Sequence, residues 1–333
     1  MPHGETSVIP RPDKKSASVS KYNQKRPECQ AERPGLSPAA KVGIGLAVAT
    51  VGFTLATLGY AYVATHPPRK RFTRTPAEIA LEFEEISFLT HDGLKISGWL
   101  LSAPFPEEAQ GVILFCHGYP RNRLEMLPYA QFLHEAGFAT LVFDFRSLGR
   151  SEGELCSFGH EEIADLRGAL DFLDSRPDME GLPRGVFGLS LGASVAIMAS
   201  AKDERVQAVV AEAPYPSLRD ALNKRMSVVF GPLGSRVATP ILWWAKRWLT
   251  FDPAAVSPAA VVHALAPRPL LLIQGQRDML VNWRDAERMA KVSEESTELW
   301  LMPTAGHAQC FRKGGEEYKR RVAEFFQNNL HRE

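Results

Sequence analysis

The chain has 333 residues, of which 45% are hydrophobic and 23% are charged, and its formal net charge is +1. These values lie at the average for globular proteins and exclude a wholly disordered or collagen-like chain. The net charge conceals a division, because residues 1–75 hold 12 basic and 4 acidic side chains whereas residues 76–333 hold 27 and 34. This asymmetry predicts a basic arm joined to a separate acidic domain. The acidic domain lacks the basic surface that binding of nucleic acid requires, so we expect no nucleic-acid partner.

The cysteines give no sign of a shared role. They are scattered along the chain without the paired spacing of zinc-binding motifs or of a disulfide framework. We therefore expect neither a metal site nor a set of disulfide bonds. The four residues are Cys29, Cys116, Cys156 and Cys310.

The basic arm contains a candidate membrane span. Residues 1–41 are rich in Pro, Ser, Lys and Arg, which is typical of a disordered tail. Residues 42–65 contain no charged side chain, and a helix of this length reaches about 36 Å, enough to cross a hydrocarbon core of about 30 Å. A buried soluble helix would show polar periodicity, and a cleaved signal peptide has a shorter apolar core. The pattern thus favours a single-pass transmembrane helix with the lipid bilayer as its partner.

The orientation of this span stays open. Basic residues flank both of its ends, so the positive-inside rule gives conflicting indications and does not decide on which side of the membrane the large domain lies. The nearest are Arg33 and Lys41 before the span and Arg69, Lys70, Arg71 and Arg74 after it.

After a linker over residues 66–83, the remaining residues 84–333 predict an α/β domain. Alternating apolar residues on either side of a turn at His91-Asp92-Gly93 indicate a β-hairpin. Continuous apolar strands then alternate with helical segments, which is typical of a mostly parallel sheet covered by helices on both faces. The predicted strands cover residues 112–118, 139–145, 185–189, 206–213, 269–275 and 298–303, and the helices 124–136, 161–173, 191–201, 285–292 and 316–330.

A long insertion interrupts this alternation at about residues 214–266. It exceeds ordinary loop lengths and is rich in aromatic and basic side chains, which predicts a helical cap over the ends of the strands. Its aromatic residues either line an apolar substrate pocket or simply pack the cap onto the sheet.

A nucleophile elbow is the strongest local motif. Gly188, Ser190 and Gly192 form a G-x-S-x-G pattern between an apolar strand and an apolar helix, which is the setting that such an elbow needs. The glycines permit a sharp turn and close backbone approach. The amide of Leu191, at the start of the helix, is a candidate donor to an oxyanion.

A nucleophilic serine needs a base, and the base needs an orienting acid. Asp278 lies three residues beyond one predicted strand and His307 lies just beyond the last, in the chain order that the elbow predicts. Asp144 and Glu212 also lie at strand ends and are second-choice acids. These positions predict Ser190 as nucleophile, His307 as base and Asp278 as orienter.

A second strand-end turn follows residues 112–116 and reads His117-Gly118-Tyr119-Pro120. Gly118 lets the chain pass close to the site, and the amide of Tyr119 is the candidate second oxyanion donor.

Taken in order, HGYP, FDFRSLGRSEG, GLSLG, the Asp278 loop and AGH resemble the α/β-hydrolase superfamily. They are most similar to its membrane-anchored bacterial members of lysophospholipase, esterase and serine-aminopeptidase type. The resemblance covers residues 84–330 and implies the same roles for Ser190, Asp278 and His307, with no cofactor and a bacterial membrane location. Two departures matter: the HGGG run of many lipases is absent, and Ser190 argues against the Asp nucleophile of epoxide hydrolases and haloalkane dehalogenases.

The expected function is hydrolysis of a small-molecule or lipid ester through an acyl-enzyme. One alternative is cleavage of short peptides, which requires a carboxylate for the free amine, with Glu161, Glu162 or Glu212 as possible residues. Another is a membrane-tethered binding protein that uses the same pocket without turnover. Fold analogy names no substrate, and the sequence leaves the oligomeric state open.

Overall fold

A computed structural model describes residues 35–70, 72–249 and 251–332. The residues from Ala49 onward form one compact unit. Most of the tail predicted over residues 1–41 lies outside the described residues, as does Cys29.

An eight-stranded sheet forms the centre of the domain, with the strand order β1-β2-β4-β3-β5-β6-β7-β8. All strands from β4 to β8 in this order are parallel, and β1 and β2 add an antiparallel hairpin at one edge. The mostly parallel sheet with a leading hairpin is thus confirmed. The strands are β1 Glu84–Leu89, β2 Lys95–Leu101, β3 Val112–Cys116, β4 Ala139–Phe143, β5 Arg184–Leu189, β6 Val206–Glu212, β7 Leu270–Gly275 and β8 Thr297–Met302.

Helices cover both faces of this sheet, because the inner strands are apolar on both sides and every residue of β3, β4 and β7 is buried. Two apolar clusters fill the space between sheet and helices. The helices are α1 Pro38–Thr65, α2 Leu127–Glu135, α3 Glu162–Asp174, α4 Leu191–Ser200, α5 Leu218–Phe230, α6 Gly234–Trp248, α7 Pro258–Val261, α8 Trp283–Val292 and α9 Cys310–Asn329.

Helix α9 begins earlier than predicted. The sequence predicts the closing helix over residues 316–330, but the helix already begins at Cys310. It is broken at Gly315, where φ is +53° and ψ is −131°. Glycine adopts this left-handed backbone readily, so the chain kinks there and the helix continues on both sides.

Helix α1 contains the predicted span and begins at Pro38. Its mean hydropathy is 1.8, and it is long and apolar enough to cross a membrane. Only Thr57, Ala61 and Thr65 are buried within it. These residues are four positions apart, so they form one stripe along the last turns of the helix.

The predicted cap insertion is helical. Between β6 and β7 the chain forms α5, α6 and the short α7. Helices α5 and α6 pack against each other as a hairpin joined by a turn at Gly231–Leu233. Ser217 caps α5, because its hydroxyl accepts a hydrogen bond from the amide of Asp220.

A buried ion pair fastens the loop after β4 to the rest of the domain. The backbone amide and Nε of Arg146 both donate to the carboxylate of Asp165, each at a distance of 2.8 Å. The Nη atoms of Arg146 donate to the carboxylate of Asp92. The side chain of Asp165 is fully buried. Burial raises the pKa of Asp165, and the guanidinium of Arg146 opposes that rise. The pair joins α3, the hairpin turn and the loop after β4.

Replacing Arg146 with methionine is expected to lower the free energy of unfolding by about 3–5 kcal/mol, because it removes the cation that pairs with the buried carboxylate of Asp165. Burial already raises the pKa of folded Asp165 to about 7, and removal of Arg146 raises it further, so the loss of stability grows as the pH increases above about 7. Chemical unfolding in detergent followed by circular dichroism measures both effects. The matched control is Arg320→Met, whose ion pairs with Glu317 and Glu324 are exposed, so little change in the free energy of unfolding is expected there. Equal losses in the two variants would contradict the structural role of Arg146.

Candidate active site

Three predicted residues meet beyond the carboxyl ends of the strands. The hydroxyl oxygen of Ser190 lies 2.9 Å from Nε2 of His307, and Nδ1 of His307 lies 2.8 Å from Oδ2 of Asp278. An ionised carboxylate only accepts hydrogen bonds, so Nδ1 carries the proton and Nε2 is free to accept from the serine hydroxyl. The three side chains therefore form one hydrogen-bonded chain in the order needed for general-base activation of a serine.

The backbone at Ser190 forms a strained turn between β5 and α4, with φ of 55° and ψ of −112°. Its two flanking glycines are required by close contacts. A Cβ atom on Gly188 would lie 2.3 Å from the carbonyl oxygen of Gly192, and one on Gly192 would lie 1.9 Å from the carbonyl oxygen of Cys116. No side chain fits at either position, so the glycines permit the turn that projects Ser190 from the sheet.

Asp278 is held ionised by the groups around it. Its Oδ1 atom accepts hydrogen bonds from the amides of Leu280 and Val281, and Oδ2 accepts from the side-chain amide of Gln274 as well as from His307. Burial acts to raise the pKa of Asp278, but the hydrogen bonds from His307 and the two backbone amides outweigh it and lower the pKa below its ordinary value. The carboxylate is therefore charged at neutral pH and fixed in position by the loop that carries it.

The two second-choice acids are engaged elsewhere. Glu212 is fully buried and accepts hydrogen bonds from the hydroxyl of Tyr318, at 2.6 Å, and from the amide of Cys310. Asp144 accepts hydrogen bonds from the backbone amides of Arg123 and Arg150. Both carboxylates hold loops and helices together, and Asp278 is the one hydrogen-bonded to His307.

The two candidate oxyanion donors lie on elements that border Ser190. Leu191 is the first residue of α4, where backbone amides have no acceptor within the helix. Tyr119 follows Gly118, and a Cβ atom on Gly118 would lie 3.6 Å from Cβ of Ser190. The turn after β3 therefore passes beside the nucleophile, which is where a second amide donor is needed.

His117 stabilises the turn after β3 through hydrogen bonds, a role that the sequence did not predict. Its imidazole is fully buried. Nε2 accepts a hydrogen bond from the amide of Phe145, so the proton lies on Nδ1, which donates to the carbonyl oxygen of Gly118. A neutral histidine thus links the ends of β3 and β4, and its position directly before Gly118 was the one available signal.

The side chain of Tyr119 also has a role that the sequence did not indicate. Its hydroxyl donates a 2.8 Å hydrogen bond to the carbonyl oxygen of Ala64, near the end of α1. Its ring packs against Phe158, with 4.9 Å between the ring centroids. The turn that passes beside Ser190 is therefore fixed by a contact with α1, 55 residues earlier in the chain.

Most aromatic residues of the cap are used in packing. Trp244 and Trp248 pack around an apolar cluster that includes Ala61 of α1. Phe251 stacks on His160 with 3.8 Å between ring centroids. Trp243 is exposed on the outer surface of α6.

Within the described ranges no group of three or more His, Cys, Asp or Glu side chains is arranged to hold a metal ion. Cys116, Cys156 and Cys310 are buried as free thiols. Burial raises the pKa of all three thiols, so they are poor nucleophiles.

One known family model matches the part of the chain that carries the nucleophile. Residues 107–261 match the family model described as serine aminopeptidase, S33. The matched segment contains Ser190, Tyr119 and Leu191, and it ends before Asp278 and His307.

Related chains cover most of the domain. The uncharacterized protein YfhR of Escherichia coli K12 is 25% identical over 252 residues, which is 74% of this chain and 81% of YfhR. The uncharacterized protein Rv2307c of Mycobacterium tuberculosis H37Rv is 29% identical over 222 residues, or 66% of this chain and 70% of that protein.

A solved structure has the same architecture. The Pyrococcus furiosus esterase Pf2001 is 26% identical to this chain and superposes with a TM-score of 0.67 over 80% of this chain and 99% of the esterase. The sheet order, the elbow and these similarities agree. The chain has the α/β-hydrolase fold, and its similarities are to serine hydrolases of that superfamily.

Proposed function

We propose that this protein is a membrane-anchored esterase that cleaves carboxylic esters of amphiphilic molecules through an acyl-enzyme. The observation that carries the proposal is the continuous hydrogen-bonded chain from Ser190 through His307 to Asp278, with separations of 2.9 and 2.8 Å. The proposed reaction needs no metal or cofactor.

In the proposed mechanism the hydroxyl oxygen of Ser190 attacks the ester carbonyl carbon while Nε2 of His307 takes the hydroxyl proton. The amides of Leu191 and Tyr119 donate to the oxyanion of the tetrahedral intermediate. His307 then gives its proton to the leaving alcohol, and the acyl group stays on Ser190. A water molecule, activated by the same imidazole, releases the carboxylic acid and restores the serine.

Asp278 keeps the imidazole productive throughout this cycle. Its carboxylate fixes the proton of neutral His307 on Nδ1 and stabilises the imidazolium that forms when Nε2 accepts the serine proton. Because the hydrogen bond from His307 lowers the pKa of Asp278 below its ordinary value, the ionised form of this carboxylate is favoured.

Cleavage of a peptide would need a carboxylate that can bind the free amine. The three candidate carboxylates are all engaged by other protein groups, which favours an ester substrate. Glu162 is fully buried and accepts hydrogen bonds from both the amide and the hydroxyl of Ser157 and from the amide of Gly159. Glu212 is buried against Tyr318. Glu161 lies 3.6 Å from the guanidinium of Arg146. The first two are saturated by protein donors and the third is paired with a cation, which leaves none of them suited to a free amine.

The membrane anchor is proposed from α1. Its 28 residues exceed the length needed to cross a bilayer, and its large apolar side chains from Val42 to Leu55 are exposed. The hydrogen bond between Ala64 and Tyr119 supports a site close to the membrane surface. An ester with a long acyl chain, which partitions into bilayers, is the substrate class that fits such a position.

Ser190→Ala is expected to abolish labelling by a fluorophosphonate probe and to lower kcat for p-nitrophenyl acyl esters at least about a thousandfold, because the nucleophile is removed. The matched control is Ser200→Ala on the same helix, whose buried hydroxyl has no hydrogen-bond partner within the described part of the chain, and its labelling is expected to be unchanged. Wild-type turnover by the Ser190 variant would refute the proposed nucleophile.

Asp278→Asn is expected to lower kcat about ten-thousandfold at pH 7, since an amide no longer holds His307 in the tautomer that accepts the serine proton. Stopped-flow or steady-state ester hydrolysis measures the loss. Asp285→Asn, which changes a carboxylate seven positions later on α8, serves as the control and is expected to retain activity. If Glu212→Gln lost as much activity as Asp278→Asn while remaining folded, the assignment of the orienting acid would be wrong.

Substrate panels separate the ester from the peptide proposal. We expect measurable kcat/KM for p-nitrophenyl esters of increasing acyl length and at least about a hundredfold lower values for aminoacyl amides, because no carboxylate is placed for the amine. Glu161→Gln is expected to leave ester turnover unchanged. Faster turnover of aminoacyl amides, lost on that substitution, would favour a peptidase.

A further inference from the structure

The tip of the α5–α6 hairpin exposes a group of large apolar side chains. Val228, Val229, Phe230 and Leu233 are 47%, 66%, 50% and 55% exposed. They lie close together in the chain, at the end of α5 and in the following turn, so they cluster at the tip of the hairpin. Apolar surfaces of this kind mark sites that bind a protein or a membrane.

The hairpin packs directly on the end of α1. Ala61 of α1 shares an apolar cluster with Met226 of α5 and with Ala238 and Ile241 of α6. At the next residue of α1, the ring of Tyr62 meets that of Trp248 edge-on, with 6.0 Å between centroids. The exposed tip therefore belongs to a hairpin that packs against the end of the proposed transmembrane helix.

The charge of the hairpin sets it apart from the rest of the domain. Residues 217–252 contain six basic and two acidic side chains, whereas the other residues of 76–333 contain 21 and 32. The basic residues other than Arg219 are all exposed, and they are Lys224, Arg225, Arg236, Lys246 and Arg247. A basic surface on an acidic domain complements anionic lipid headgroups.

Helix α6 has the composition of a helix that lies at a membrane interface. Its buried residues Ala238, Ile241 and Ala245 face the protein, and Trp243 is 55% exposed on its outer side. The guanidinium of Arg247 lies 5.9 Å from the ring of Trp243. Tryptophan beside arginine is typical of the boundary between headgroups and acyl chains.

We propose that the α5–α6 hairpin is a second membrane-contact surface, whose apolar tip enters an anionic bilayer beside α1. This inference rests on the proposed membrane anchoring and extends it from a single helix to the cap. Two contacts with the bilayer fix the tilt of the hydrolase domain, which one helix does not. The hydroxyl of Tyr119 is hydrogen-bonded to the carbonyl oxygen of Ala64 in the last turn of α1. Because of this contact, the tilt keeps the site near the lipid surface.

The test uses the full chain in phosphatidylcholine–phosphatidylglycerol nanodiscs that contain nitroxide-labelled lipid. A bimane fluorophore is attached to one introduced cysteine in a Cys29→Ser background, where the three remaining thiols are buried. Phe230→Cys reports on the tip and Val51→Cys reports on α1. Phe105→Cys is the matched control, because Phe105 is 71% exposed and follows β2, whose last residue pairs with the start of β4 and so lies at the amino end of the parallel strands, opposite the active site.

Lipid nitroxide is expected to quench the labels at positions 51 and 230 at least about threefold more than the label at 105. Replacing phosphatidylglycerol with phosphatidylcholine is expected to weaken quenching at 230 and not at 51. Equal quenching at 230 in both lipids would overturn the assignment of anionic headgroups.

The remaining outcomes separate this inference from the proposed anchoring. Quenching at 51 without quenching at 230 overturns the second contact and leaves the anchor intact. Absence of quenching at 51 overturns the anchor and this inference with it. Quenching at 230 by a spin-labelled second copy of the chain, but not by lipid, would show that the tip is a protein interface and would also overturn the proposal.

Discussion

Helix α4 begins so close to the end of β3 that a Cβ atom on Gly192 would touch the carbonyl oxygen of Cys116 at 1.9 Å. This approach brings the turn after β3 beside the turn that carries Ser190. The start of α4 and the turn that carries Gly118 therefore both lie beside the nucleophile. A larger residue at Gly192 would force helix and strand apart and would separate these two elements.

Buried polar groups hold this arrangement where apolar packing alone would leave it free to slide. His117 links the amide of Phe145 to the carbonyl of Gly118 and so ties the ends of two neighbouring strands. Glu212 ties the end of β6 to α9 through Tyr318. Each of these groups has its hydrogen bonds satisfied, which is the condition under which a buried polar residue stabilises one geometry.

The sequence contains enough information to predict the order of strands and helices, because buried parallel strands are continuous apolar runs separated by helical ones. It also predicts that Ser190, Asp278 and His307 lie at strand ends. It does not predict the tautomer of His117, which depends on two backbone groups that come together only in the fold. The bond from Tyr119 to Ala64 is likewise beyond the reach of sequence patterns, since residues far apart in the chain leave no periodic signal.

The hydrogen bond from Tyr119 to Ala64 ties the end of α1 to the hydrolase domain. The sequence indicates only a simple linker after α1. The Ala64 carbonyl lies in the last turn of α1, where it has no donor within the helix, and Tyr119 supplies one. Thr65 accepts a second bond from the amide of Cys156, at 2.7 Å. Farther on, the ring of Phe72 lies under the guanidinium of Arg123. The end of the proposed anchor is thus built into the rim of the active site, so a displacement of α1 in the membrane would be transmitted to the turn that borders Ser190.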